Sequence, residues 1–225
     1  MNETELVLVA HGTRDPRGVA TVHELAAALR VRGAAVHVAF VDVLGPTVAE
    51  VLAKVAAPVV LVPAFLAAGY HVRADVPGQI RDSGRQDVRV TPALGPDAVL
   101  AAVQHARLAE AGWQRGDAVV LAAVGSADPR ALDDVAEAAV LLSEVLDAPV
   151  RHGYAVAAQP SVEEVVARVR EEGARRVCIA PYLLAPGLFH TKLADAGADA
   201  VADPLGVHPL VVELVLQRYG AALAY

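Results

Sequence analysis

Leu8-Val-Ala-His-Gly-Thr-Arg-Asp-Pro16 returns, with changes, as Leu121-Ala-Ala-Val-Gly-Ser-Ala-Asp-Pro129. In each copy an apolar run ends at a glycine, and an Asp-Pro follows that suits a helix start, Asp as N-cap and Pro in the first turn. Each stretch therefore reads strand, turn, helix. Working outward, three more stretches pair in the same order. Pro46-Thr-Val-Ala-Glu-Val51 matches Pro160-Ser-Val-Glu-Glu-Val165, and Val62-Pro-Ala-Phe-Leu-Ala-Ala-Gly69 matches Ala180-Pro-Tyr-Leu-Leu-Ala-Pro-Gly187. Leu94-Gly95 matches Leu205-Gly206. The offsets are 113, 114, 118 and 111 residues (8 to 121, 46 to 160, 62 to 180, 94 to 205). Four matches in register mean that one supersecondary plan is written twice.

The remainder of the chain fits that plan. Short Val-, Leu- and Ala-rich runs alternate with longer amphipathic segments, the signature of strand–helix units around a parallel sheet. Strands are predicted over 6–10, 35–41, 59–62, 88–90, 118–122, 150–156 and 177–180, with a short eighth near Ala200. Helices are predicted over 17–32, 47–56, 96–111, 129–146, 161–172 and 209–219. Thr47 with Glu50, and Ser161 with Glu164, form capping boxes. The fold class is α/β: two tandem, similar parallel-sheet domains of flavodoxin-like type facing a central cleft. The boundary falls near Arg115-Gly116, giving an N-terminal lobe over 1–114 that carries the active site and a degenerate repeat over 115–225. Ligands of such sheets bind at the C-terminal ends of the strands.

Composition narrows the function. With 55% hydrophobic residues in 225, the chain can bury a sizeable core. A net charge of −7 argues against a nucleic-acid binder, and an anionic substrate would have to be drawn in by a local arginine cluster. The single cysteine, Cys178, lies in an apolar run, which excludes an intramolecular disulfide and a cysteine-based zinc site and suits a reducing cytoplasm. The opening Met1-Asn-Glu-Thr-Glu5 has no positive n-region, so no secretory signal is expected. The apolar stretch 56–70 is too short for a bilayer and holds Pro58 and Pro63, so no membrane partner is expected.

Chemistry is sought where the two copies differ. At the end of the first strand His11 faces Val124 in the alignment; after the second, Asp42 faces Val156; after the third, His71 faces Phe189. A scaffold requirement would appear in both copies, and these three ionisable positions do not. In a 2-1-3 strand order they converge on one rim. Two neutral imidazoles and a carboxylate suit a borderline divalent metal, and the same groups can accept protons.

At these residues a family resemblance emerges. Leu8–Pro16 resembles the "HGSR(D)" opening of the sirohydrochlorin chelatases (CbiX and SirB types, class II chelatases), and Phe40-Val-Asp42 with Pro46 resembles their "FLE…P" segment. Val62-Pro-Ala-Phe-Leu-Ala-Ala-Gly-Tyr-His-Val-Arg-Ala-Asp-Val-Pro77 is similar to their "VPLFLaaGxHvxxDiP" stretch. The resemblance covers nearly the whole chain, its second half looking like the degenerate repeat of the two-lobed members. It implies ATP-independent insertion of Co²⁺ or Fe²⁺, with Ni²⁺ also in range, into the tetrapyrrole sirohydrochlorin. No cofactor is implied beyond that metal substrate. The resemblance places the family histidines on His11 and His71, as catalytic and metal-binding residues, and its acidic residue on Asp42, where Glu is usual. Asp42 would orient an imidazole or take a proton. Thr13 stands for the family's Ser, and Arg14 and Arg73, ahead of Arg81, would receive substrate carboxylates. Two lobes in one chain imply a cytoplasmic monomer that needs no partner subunit to build its cleft.

Two other readings compete. A metal or tetrapyrrole carrier could use the same lobes without accelerating insertion. His11-Gly12 also resembles the phosphorylated motif of histidine phosphatases, but that motif needs Arg before the His, and here Ala10 stands there. No Gly-rich phosphate cradle is present either. The remaining histidines, 23, 37, 105, 152 and 208, are accounted for by packing or exposure, while His190, shifted by one from the counterpart of His71, is placed within reach of the cleft.

Overall fold

The computed structural model describes residues 4–224. Met1–Glu3, part of the acidic opening, and Tyr225 lie outside the described residues. The first half runs β1 (Glu5–Ala10), α1 (Pro16–Val31), β2 (Val36–Phe40), α2 (Val48–Leu52), β3 (Val59–Pro63), a π-helical turn (His71–Asp75), α3 (Val76–Asp82), β4 (Val88–Val90) and α4 (Ala98–Glu110). The second repeats it: β5 (Ala118–Ala123), α5 (Pro129–Leu146), β6 (Val150–Tyr154), α6 (Val162–Glu171), β7 (Val177–Pro181), α7 (Leu188–Leu193), β8 (Ala200–Val201) and α8 (Pro209–Leu223). Each half forms a four-stranded parallel sheet, in the orders β2-β1-β3-β4 and β6-β5-β7-β8. The 2-1-3 order expected from the sequence is present in both.

Burial on both sheet faces follows from the strand pleat. Along β1, Leu6, Leu8 and Ala10 enter a core that continues into the second half, whereas Val7 and Val9 lie under α2 and the start of α3. Likewise β5 sends Leu121 and Ala123 inward, and Val120 and Ala122 outward beneath α6 and α7. The long helices α1, α4, α5 and α8 fill the shared core. Two of them cross between the halves: α4 packs on β7 and α8 on β3. The crossing is pinned by equivalent arginines. Arg107 donates to the Leu205 carbonyl at 3.2 Å, and Arg218 donates to the Leu94 carbonyl at 3.4 Å and to Asp97 at 2.9 Å.

Asp15 and Asp128 cap α1 and α5 ahead of their prolines, and both expected capping boxes are formed. The second strand of each half ends earlier than its apolar run. The chain curls back so that the carbonyls of Pro46 and Pro160 accept from Phe40 and Tyr154 N–H, at 2.9 and 3.0 Å. The helix expected over 47–56 is cut to five residues, turning at Ala53 and Lys54 ahead of Pro58. Two helices, α3 and α7, were not assigned by the sequence pattern. Pro77 lies where the π-helical turn passes directly into α3, so the helical run continues around it. No described helix is long and apolar enough to cross a membrane.

Candidate active site

The rim of the first sheet is assembled by backbone pairing that runs past the strands. Val41 N–H reaches the Ala10 carbonyl and Asp42 N–H the His11 carbonyl, both at 3.0 Å. This brings the two loops so close that a Cβ on Gly12 would sit 2.1 Å from the Asp42 carbonyl oxygen, and Gly12 itself has φ of +96°. Only glycine fits. Gly125 repeats the arrangement at φ +99°, 2.0 Å from the Val156 carbonyl, so this glycine is scaffold in both halves.

His71 arrives from the loop after β3. The second half holds that loop: Asp134 accepts from Ala68 N–H at 2.7 Å, and Tyr182, buried, donates its hydroxyl to the Leu66 carbonyl at 2.8 Å. Burial pushes the Tyr182 phenol well above its ordinary pKa, so it stays a donor. The π-helical turn then sets His71 against His11, with ring centroids 4.4 Å apart and planes at 75°. Phe65 lies beside both rings, at 6.5 and 6.4 Å.

Hydrogen bonds determine which nitrogen each ring presents. His11 Nδ1 lies 3.1 Å from the Gly12 carbonyl, which can only accept, so that nitrogen carries the proton. His71 Nδ1 lies 2.6 Å from Asp75 Oδ2. Both neutral rings are thereby left with their lone pair on Nε2, the form in which an imidazole binds a metal or receives a proton.

Asp42 shares the rim but is used differently. Its Oδ1 accepts from Val43 N–H at 2.7 Å, across a backbone where Val43 has φ of +67°. With His71, Asp75, Gln79 and Asp82 it lines a cleft of about 440 Å³. Among the described residues no three His, Cys, Asp or Glu side chains converge as a metal cluster. The structure thus pairs the two histidines and leaves Asp42 beside them, in place of a three-donor site. The carboxylate on an imidazole is that of Asp75, which sequence reasoning did not single out. Its spacing of four from His71 becomes a signal only once the segment is known to be helical, and its counterpart in the second half is Leu193.

Thr13 Oγ1 accepts from Asp15 N–H at 3.1 Å, at the mouth of α1. Arg14 is exposed, and among the described residues no hydrogen bond or ion pair engages its guanidinium. Arg73 donates Nε to the Ala68 carbonyl at 2.6 Å and lies 4.0 Å from Asp128 of the second half. The Arg130 guanidinium holds the Asp128 carboxyl below the usual carboxylate range, and Arg73 adds to the effect. Arg81 lies farther along, in the last turn of α3. His190 turns to the Ala202 carbonyl at 3.1 Å. His23 lies against Phe40, His105 against Trp113 and His152 against Tyr154; His37 pairs with Glu5 and His208 caps α8.

The chain is 26% identical to the sirohydrochlorin cobaltochelatase of Priestia megaterium over 243 aligned positions, covering 95% of this chain and 78% of that protein. Among solved structures, SirB from Bacillus subtilis with Fe³⁺ superposes with a TM-score of 0.84 at 22% identity, over 99% of this chain and 96% of that one. A CbiX structure, described as the terminal enzyme for siroheme biosynthesis in denitrifying bacteria, gives 0.72 at 23% identity, over 97% and 99%. The fold is therefore that of the two-lobed class II chelatases. The CbiX family model matches the chain twice, over 5–111 and 118–222, one match for each copy of the repeat read from the sequence. Matched over nearly its whole length, the chain belongs to the sirohydrochlorin chelatase family that this model describes.

Proposed function

We propose that this protein inserts a divalent metal, Co²⁺ or Fe²⁺, into sirohydrochlorin without ATP, serving cobalamin or sirohaem biosynthesis. The observation that carries the reading is the His11–His71 pair, with rings 4.4 Å apart and both Nε2 lone pairs unspent. Insertion needs a transient seat for the incoming ion and a base for the two pyrrole N–H protons that the macrocycle loses. Two protein nitrogens hold a borderline ion while leaving most of its coordination sphere open to the ring nitrogens. Once the ion has left, the same lone pairs accept protons. Asp42, at the cleft wall, takes a proton onward or meets the ion's water.

Substrate recognition is assigned to cations around the rim, because sirohydrochlorin carries eight carboxylates and the chain a net charge of −7. Arg14, uncommitted and exposed, is the first receiver, with Thr13 beside it. Arg73 keeps its terminal nitrogens for a carboxylate while Nε anchors the loop. The protein is taken to work as a monomer, since both lobes come from one chain, and in the cytoplasm, since its one cysteine suits a reducing compartment.

The test is anaerobic insertion followed by the visible spectrum of the tetrapyrrole, with Co²⁺, Fe²⁺ and Ni²⁺ offered separately. Wild type should turn over catalytically, and His11→Ala and His71→Ala should each lose at least about 100-fold, the scale of a removed acid–base group. The fastest metal then indicates the pathway. A spectral change that only tracks protein concentration would make the protein a carrier.

A further inference from the structure

Asp75 lies outside the three positions singled out by comparing the halves, yet its carboxylate sits 2.6 Å from His71 Nδ1, a short hydrogen bond. The two residues are four apart across the π-helical turn, which puts both side chains on one face. The pair is half-exposed, at 34% and 30%, so burial of a charge does not account for it. Placing the halves in register shows the same coupling from another direction. His71 aligns with Phe189 and Asp75 with Leu193: where the imidazole is lost, its carboxylate is lost with it. The surrounding scaffold residues are kept, including Gly69 as Gly187.

We infer that Asp75 is a positioning residue that fixes His71 as its Nδ1–H tautomer and so aims the Nε2 lone pair at the incoming divalent ion. A free neutral imidazole prefers the opposite tautomer, with hydrogen on Nε2 and no lone pair where the metal must bind. The carboxylate reverses that preference, because it accepts a hydrogen bond at Nδ1 and also restrains rotation of the ring. His11 is set by a backbone carbonyl, which no side-chain change removes. Among the described residues Asp75 is the one hydrogen-bond partner of His71 Nδ1, and this makes Asp75 a determinant of metal affinity. The inference rests on the chelatase reading for its purpose but not for its measurement.

The test uses the intact protein with Asp75→Leu, the residue of the second half, and Asp75→Asn, whose amide oxygen still accepts from Nδ1–H. Long-range ¹⁵N–¹H correlation of the metal-free protein at pH 8 reports the His71 tautomer, with His71→Gln to assign the signals. Wild type and Asp75→Asn should show the proton on Nδ1, and Asp75→Leu should shift it towards Nε2. Titration with Co²⁺ alone, read from its visible d–d bands, should show affinity about 10–100-fold weaker in Asp75→Leu. Asp75→Asn should recover most of that loss. An Nε2–H tautomer in wild type, or Co²⁺ affinity unchanged in Asp75→Leu with His71→Ala weakened, overturns the inference. Failure of insertion into sirohydrochlorin by wild type would instead overturn the chelatase reading and leave the tautomer result standing.

Discussion

Gly12 and Gly125 occupy equivalent positions, yet only Gly12 stands beside a reactive group. Each carries a positive φ, and a Cβ added to either would fall 2.0–2.1 Å from a carbonyl oxygen, so a methyl group must both strain the backbone and force the loops apart. Gly12→Ala and Gly125→Ala should each destabilise the protein by about 3 kcal/mol, lowering Tm by roughly 6–12 °C for a chain of this size. Their effects on Co²⁺ binding should separate: Gly12→Ala displaces His11, whereas Gly125→Ala disturbs a rim whose matching residue is Val124. Thermal melts and Co²⁺ titration of the two variants check this, and equal loss of binding in both would mean that the rims are coupled. At this scale the sequence was informative because duplication gave each functional residue an apolar control. His11 and His71 were legible in that way. Asp75 was not, since residues four apart share a face only if the segment is helical, and the sequence pattern assigned no helix over 71–82.

The π-helical turn and α3 carry His71 and Asp75 but bury little, with Val76 their only fully buried side chain. What fixes them is Gln79. Its Oε1 accepts from Val48 N–H at 2.9 Å and its Nε2 donates to the Val41 carbonyl at 3.0 Å, tying α3 to the start of α2 and to the end of the second strand. One amide thus joins the element bearing His71 to the segment bearing Asp42. Gln79→Ala leaves a buried N–H and a carbonyl without this partner, which should cost about 2 kcal/mol and roughly 4–8 °C in Tm. Hydrogen exchange should quicken over 71–82 while β1 and β3 keep their protection; a uniform loss of protection would show that Gln79 supports the whole sheet instead. Element order and strand order were readable from periodicity and repeats. The short helices were not, because six or seven residues leave too few turns for a 3.6-residue pattern to show.

The exchange of α4 and α8 between the halves could not be read from sequence at all, since an amphipathic pattern reports that a helix has an apolar face and says nothing of which sheet will cover it. The exchange places α4 among α5, α8 and β7, in the middle of the shared core. There Gln104, 2% exposed, has neither its amide oxygen nor its amide nitrogen hydrogen-bonded. The equivalent position on α8, 111 residues on, is Val215, fully buried and apolar. The fold therefore accepts an apolar side chain at this site in one copy and sustains an unpaired amide in the other. Removing a buried, unpaired polar group recovers its desolvation cost, about 1–3 kcal/mol. Gln104→Leu keeps the volume and favours the helix, so it should raise Tm by about 2–12 °C. Because α4 contributes no residue to the rim, Co²⁺ affinity should stay at its wild-type value. A lower Tm would mean that the Gln104 amide is satisfied in solution and that the junction depends on it. A higher Tm with slower turnover would mean that the halves must move against each other for the substrate to pass.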